Sequence, residues 1–158
     1  MMAESRKVRI TLESVQDGSS HIHAYEGEWF RKERSIFIRY SEPAVEGEPA
    51  AGEVRTLVKY RQDELSITRR GVIESEQLFV PGLRRTGRYH SAMTSFSLET
   101  DTMQLSLHIP NGDGTTEIAE TLPTTLPFTL EWEYEMHVGE QMSGRFHIRL
   151  HIQEERNQ

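Results

Sequence analysis

Cysteine is absent from the 158-residue chain, which excludes disulfides, thiolate metal sites and a cysteine nucleophile. Positive charge is also short: 18 Lys and Arg stand against 25 Asp and Glu, a formal net charge of -7. Sequence-independent grip on nucleic acid or on an anionic membrane rewards a basic face, so neither partner is expected. The one local cluster of cations, Arg84, Arg85 and Arg88, falls in a turn-rich segment and reads as solvated surface. Long apolar runs are missing as well. Met1 to Ile10 is polar and then alternating, with nothing that could serve as a signal peptide or membrane span, and the expectation is a cytoplasmic protein. No segment longer than about two turns shows a helical period.

Signatures of catalysis are missing too. There is no Gly-x-Ser-x-Gly elbow, phosphate loop or His-Glu-x-x-His, and Asn111-Gly-Asp-Gly lacks the ligand ladder of a calcium loop. Nothing places a nucleophile beside a base and an acid, so no catalytic residue, no cofactor and no enzymatic activity are expected.

What the chain does have is a period of two. Leu130, Trp132, Tyr134, Met136 and Val138 share one face of a strand, and Phe146, Ile148, Leu150 and Ile152 share one face of the next. A hairpin folded about Gln141 sets Trp132 opposite Leu150, Tyr134 opposite Ile148 and Met136 opposite Phe146. On the outer face the same register sets Glu131 against His151, Glu133 against Arg149 and Glu135 against His147. A slip of one residue would pair an inner face with an outer one.

The pattern recurs upstream. Lys7 to Gln16 alternates; His21 to Arg31 and Ser35 to Ser41 form a hairpin about Lys32 and Glu33, in which Phe30 and Phe37 leave two registers open. Val54 to Arg61 and Glu64 to Arg70 flank the turn Gln62, Asp63, which sets Tyr60 against Leu65 and Val58 against Ile67. A short strand around Leu78 to Val80, a bend at Pro81 and Gly82, and a strand near Gly87 to Met93 follow. Ser95 to Glu99 and Thr102 to Ile109 read as one more hairpin, with Leu98 facing Met103 and Phe96 facing Leu105. Loops are expected at 42–53, rich in Pro, Gly and acids, and at 111–127, either a functional lid or, the favoured reading, a tolerated insertion.

Strands joined locally make a meander, and only closure removes its edges. The fold class expected is therefore all-β: one domain over residues 1–158, a single antiparallel meander β-barrel of about 8–10 strands.

Three stretches carry a family likeness: Ile67-Thr-Arg-Arg-Gly71, the run from Tyr89 through Ser97, Leu98, Glu99 and Thr100, and Tyr134-Glu-Met-His-Val-Gly-Glu140. From about Arg9 to Ile152 the chain resembles the YwiB-like family of bacterial beta-barrel proteins. The resemblance implies a calycin-type meander barrel, the architecture of lipocalins and fatty-acid-binding proteins. It implies no functional roles; Arg69, Gly71, Tyr89, Tyr134 and Met136 match its pattern as signature positions only.

Arg69 shares the inward face of Tyr60, Leu65, Val58 and Ile67. An enclosed guanidinium must be paired, and a carboxylate or phosphate on a ligand could be the partner. The plainer alternatives are an internal acid such as Glu26, or a head group that reaches solvent at the barrel mouth. Phe96, Met103, Trp132, Tyr134, Met136 and Phe146 face inward as a pocket lining or as ordinary core, with Tyr89 and Tyr134 offering hydroxyls beside Arg69. The candidate ligand-binding set is Arg69, Tyr89, Phe96, Trp132, Tyr134 and Met136.

No metal is expected. His21 and His23 share one face and His147 and His151 another, but no spaced motif joins them. Glu131, Glu133 and Glu135 form a solvated stripe opposite basic neighbours.

Two functions fit. The favoured one is a non-enzymatic barrel that holds a small apolar or anionic amphiphilic ligand. The alternative is a structural or regulatory interaction module, monomeric or homodimeric, without a ligand.

Overall fold

The structure, a computed structural model, describes residues 5–44 and 49–155. Its strands are β1 (Arg6–Gln16), β2 (Ser19–Lys32), β3 (Ser35–Pro43), β4 (Glu53–Arg61), β5 (Glu64–Gly71), β6 (Ile73–Phe79), β7 (Arg84–Ser91), β8 (Ser95–Pro110), β9 (Thr116–Ile118), β10 (Phe128–Val138) and β11 (Gln141–Glu154). A 3₁₀ turn, Pro49–Ala51, precedes β4, and no helix among the described residues is long and apolar enough to cross a membrane.

Neighbours in sequence pair antiparallel from β1 to β8, β11 pairs with β1, and β10 bridges β11 and β8. The result is a closed antiparallel barrel of ten strands, with β9 attached to the edge of β8 outside the ring. Closure leaves no free edge in the ring, the outcome expected of a meander with a long last strand.

Several registers match the sequence pattern and others move. Tyr60 pairs with Leu65 and Val58 with Ile67, as the clean alternation around Gln62-Asp63 requires. The last hairpin keeps its faces but slips by two residues: Trp132 pairs with Ile148, Tyr134 with Phe146 and Met136 with Gly144, so Glu131 opposes Arg149, Glu133 opposes His147 and Glu135 opposes Arg145. The turn is Gly139-Glu140 instead of one centred on Gln141, with Gly139 at φ +65°, and a bulge after Met136 absorbs the remaining offset. The first hairpin turns at Asp17-Gly18, both with positive φ, the arrangement that a twisted two-residue hairpin favours. The β2–β3 turn is Glu33-Arg34, because Lys32 still pairs with Ser35. Phe30 and Phe37 pair on the outer face and stack at 4.9 Å, with Arg39 over one ring and Lys59 over the other.

The hairpin expected between Glu99 and Thr102 does not form. β8 runs unbroken through it, pairing with β7 up to Asp101 and with β10 from Glu99 onward. Its change of alternation comes from a bulge: Tyr134 pairs with Thr102 and Glu133 with Gln104, so Met103 is the extra residue. Met103 is turned out, 40% exposed, and does not line the interior; the bulge returns Leu105 and Leu107 to the inside.

The barrel differs sharply between its ends. At one end, which holds the turns 33–34, 62–63 and 80–83, the inward residues Val8, Ile10, Ile36, Ile38, Phe128, Leu130 and Ile152 are all sealed from solvent. Segment 111–127 adds to this end: Ala119, Leu122 and Leu126 pack on the core and Pro123 is buried. It is a plug rather than a neutral insertion. Of the loop expected at 42–53, residues 45–48 lie outside the described residues; its two ends are strand, with Glu42 paired to Val54 and Pro43 to Glu53, and a 3₁₀ turn stands between.

Candidate functional site

At the opposite end, Leu12, Ile67, Tyr89, Phe96, Met136 and Phe146 face inward and are still only partly buried. The turns at 17–18, 72 and 139–140 there are tight; the β3–β4 connection, 44–52, lies at this end as well, with 45–48 outside the described residues. Inward parity without burial marks an open lumen, and a cavity of about 380 Å³ occupies it.

All six residues singled out in the sequence, Arg69, Tyr89, Phe96, Trp132, Tyr134 and Met136, lie on the wall of this one cavity. Trp132, Tyr134 and Met136 come from alternate positions of β10, the first two buried and the third nearer the mouth. Tyr89 on β7 and Phe96 on β8 are cross-strand partners whose rings stack at 5.0 Å. Arg69 on β5 stands between Thr56 of β4 and Ser75 of β6.

The floor was not legible in the sequence. Phe79, 1% exposed, meets Trp132 at 5.8 Å and Tyr134 edge-on at 4.7 Å, and Phe146 stacks on Tyr134 at 5.0 Å. Short strand β6 delivers Ser75, Gln77 and Phe79 inward together. Only alternation over seven residues announces it, and the strand expected around Leu78 to Val80 covers just the end of the observed Ile73–Phe79.

Polar groups gather around Arg69. Its Nε lies 3.4 Å from Glu42 Oε1, an ion pair too poorly aligned to be a hydrogen bond, so the buried Nε–H has no hydrogen-bond partner. Glu42, 14% exposed, continues the inward parity of Ile38 and Tyr40 on β3. Glu26, the acid suggested by sequence, opposes Arg9 on β1 and is exposed instead. Burial raises the Tyr40 hydroxyl far above the usual phenol range and Glu42 adds to this, while Arg69 opposes it. Burial also pushes Tyr134 up to about 12, against the pull of Arg69 and a hydrogen bond with Gln77. Both phenols are therefore neutral at physiological pH. The Trp132 indole N–H is buried without a partner as well.

Outside the mouth, a groove of about 530 Å³ shares Arg69, Ser75, Tyr89 and Phe96 with the lumen. Its cations are largely engaged: Arg88 donates to Glu76 at 3.1 Å and Arg70 lies 3.9 Å from the same carboxylate. Arg84 bonds Glu99 at 3.3 Å and lies 3.5 Å from Asp101.

Several of the remaining His and acids sit on the outer wall. His147 and Arg149 both donate to Glu131, and His108 lies 3.2 Å away, whereas His151 bonds Glu13 and Thr129. Asp101, Glu135 and His137 have ligand atoms within 4.8 Å of one another. The Arg84 guanidinium, 3.4 Å from His137 as well, already supplies positive charge there.

Comparison with known proteins agrees with this architecture. The chain is 24% identical over 144 residues to the uncharacterized beta-barrel protein YwiB of Bacillus subtilis (strain 168), covering 89% of this chain and 88% of that one. The crystal structure of the ywiB protein from Bacillus subtilis superposes with a TM-score of 0.73 at 19% identity, over 98% of this chain and 96% of that chain. Residues 7–150 match the model of the domain of unknown function DUF1934, and the chain belongs to that family.

Proposed function

We propose that the barrel is a non-enzymatic binding protein whose ligand, small and mainly apolar, seats in the open half of the lumen. One observation carries this reading: the inward face is sealed at one end and partly exposed at the other, where Trp132, Tyr134, Phe96, Tyr89 and Phe146 form aromatic walls. A hollow lined by apolar groups with a few fixed polar atoms is the common form of a small-molecule site, and 380 Å³ lies within the usual range of roughly 300–1,000 Å³. A barrel of ten strands is wide enough that side chains need not fill it.

The test is titration of the full chain with the neutral fluorophore N-phenyl-1-naphthylamine, beside native mass spectrometry of protein purified from cells. Saturable binding that is lost in Met136→Trp, where the larger ring fills the mouth, is expected. Absence of both a cellular adduct and saturable probe binding, or binding that Met136→Trp leaves unchanged, would overturn the reading.

A further inference from the structure

We infer that Glu42 is an internal counter-ion that makes the lumen select an uncharged, acceptor-bearing ligand over an anionic one, an inference that rests on the binding reading above. Among the described residues, Arg69 is the one charged side chain on the cavity wall. Taken alone it would invite a carboxylate or phosphate. Its charge is already matched. Glu42 comes from β3, two strands away in the same sheet, and its carboxylate lies 3.4 Å from the guanidinium at 14% exposure. A carboxylate so enclosed needs its cation, since removing Arg69 would leave it poorly solvated and uncompensated, whereas the Arg69 side chain is itself 38% exposed.

An anion entering the lumen would therefore meet a neutralised Arg69 with a like charge directly behind it. It could gain the guanidinium only by displacing or protonating Glu42. An uncharged ligand leaves the pair intact and still finds donors. Trp132 Nε1, in a residue 2% exposed, and the Arg69 Nε–H are both buried without hydrogen-bond partners, and each is satisfied by an acceptor that carries no net charge. The neutral Tyr40 and Tyr134 hydroxyls add no anion of their own. With the stacking surfaces of Trp132, Tyr89 and Phe96, the chemistry points to a flat aromatic or heteroaromatic molecule with a carbonyl, hydroxyl or ring-nitrogen acceptor.

The experiment compares two probes of one ring system, neutral N-phenyl-1-naphthylamine and anionic 8-anilinonaphthalene-1-sulfonate, on the full chain at neutral pH. Loss in Met136→Trp assigns each signal to the lumen. The neutral probe should bind the wild type more tightly by about tenfold or more, a modest Coulomb term in a half-enclosed site. Glu42→Gln should strengthen the anionic probe by about the same factor and leave the neutral probe nearly unchanged, whereas Glu42→Asp should keep the wild-type preference. The double change Glu42→Gln with Arg69→Gln should return the anionic probe to weak binding. Equal or tighter lumen binding of the anionic probe by the wild type overturns the inference even if Glu42→Gln fails to fold, and so does an unchanged ratio in a folded Glu42→Gln. Failure of both probes to bind the wild type overturns the binding reading itself, and this inference with it.

Discussion

Replacing Glu131 by Gln tests both the register of the last hairpin and the electrostatics of the outer wall. The Glu131 side chain is 12% exposed and receives hydrogen bonds from Arg149 Nε at 2.9 Å and from His147, with His108 Nε2 at 3.2 Å. Burial raises its carboxyl, but the bonds from Arg149 and His147 and their charges outweigh this, and the net shift is downward from the ordinary value of 4.5. A carboxylate held low in the folded state adds stability above its unfolded value, and that stability is lost as pH falls through the folded value. Hydrogen bonds to a charged group contribute about 1.5–3 kcal/mol each when sheltered. Arg149 is 53% exposed, so its share is discounted and the whole change is set at about 2 kcal/mol at neutral pH. Urea unfolding followed by tryptophan fluorescence should show this loss with an unchanged slope, and the gap between Glu131→Gln and wild type should close below the ordinary carboxylate range. A double-mutant cycle should couple Glu131 to Arg149 by about 1 kcal/mol and to His151, which bonds Glu13 instead, by almost nothing. Stronger coupling to His151 would restore the register read from sequence. A gap that persists at low pH would refute the electrostatic account.

Two further changes follow from the packing. Leu130→Ala, in the sealed half, should cost about 3 kcal/mol, while Met136→Ala, on the same face of the same strand but beside open space, should cost under about 1 kcal/mol, both read by urea unfolding. Thr102→Val removes a buried hydroxyl that has no partner and should leave the melting temperature unchanged or raise it, by the equivalent of about 1 kcal/mol at most.

The fold was legible where parity alone decides. The β4–β5 hairpin has clean alternation and a two-residue turn, and its register is the one its residues dictate. The β10–β11 hairpin shows the limit of that logic: a slip of two residues preserves every face, so hydrophobic patterning cannot separate the two registers. Gly139 was the discriminating residue, because the turn forms where the backbone accepts positive φ. At β8 parity changes inside one strand, and in a sequence a bulge and a turn look alike. The site followed the same division. Trp132, Tyr134, Met136, Phe96, Tyr89 and Arg69 converge because inward parity of strands fixes direction. Glu42 was lost because Pro43 and the acids beyond it have the composition of a loop, while the β3–β4 ladder extends through both residues.

The two ends of the barrel are linked through what closure demands. Ten strands enclose more width than their own side chains fill, so an end is sealed only where extra chain is supplied. Segment 111–127 supplies it at one end through Ala119, Leu122, Pro123 and Leu126, and the layers beneath it are fully buried. At the other end the inward residues Leu12, Ile67, Met136 and Phe146 stay partly exposed. Burial of large apolar side chains, at roughly 1.5–3 kcal/mol each, therefore concentrates stability at the plugged end. That surplus lets the open end hold groups that reduce stability: buried polar atoms without partners, Trp132 Nε1 and Arg69 Nε among them, half-exposed aromatics and the Arg69–Glu42 ion pair. If stability were the only requirement, apolar residues at positions 42 and 69 would serve as well or better. Trp29 Nε1 is an unpartnered buried donor in the plugged half too, but an ion pair and unpartnered donors gathered on the wall of one cavity are what a binding site explains and a purely structural barrel does not.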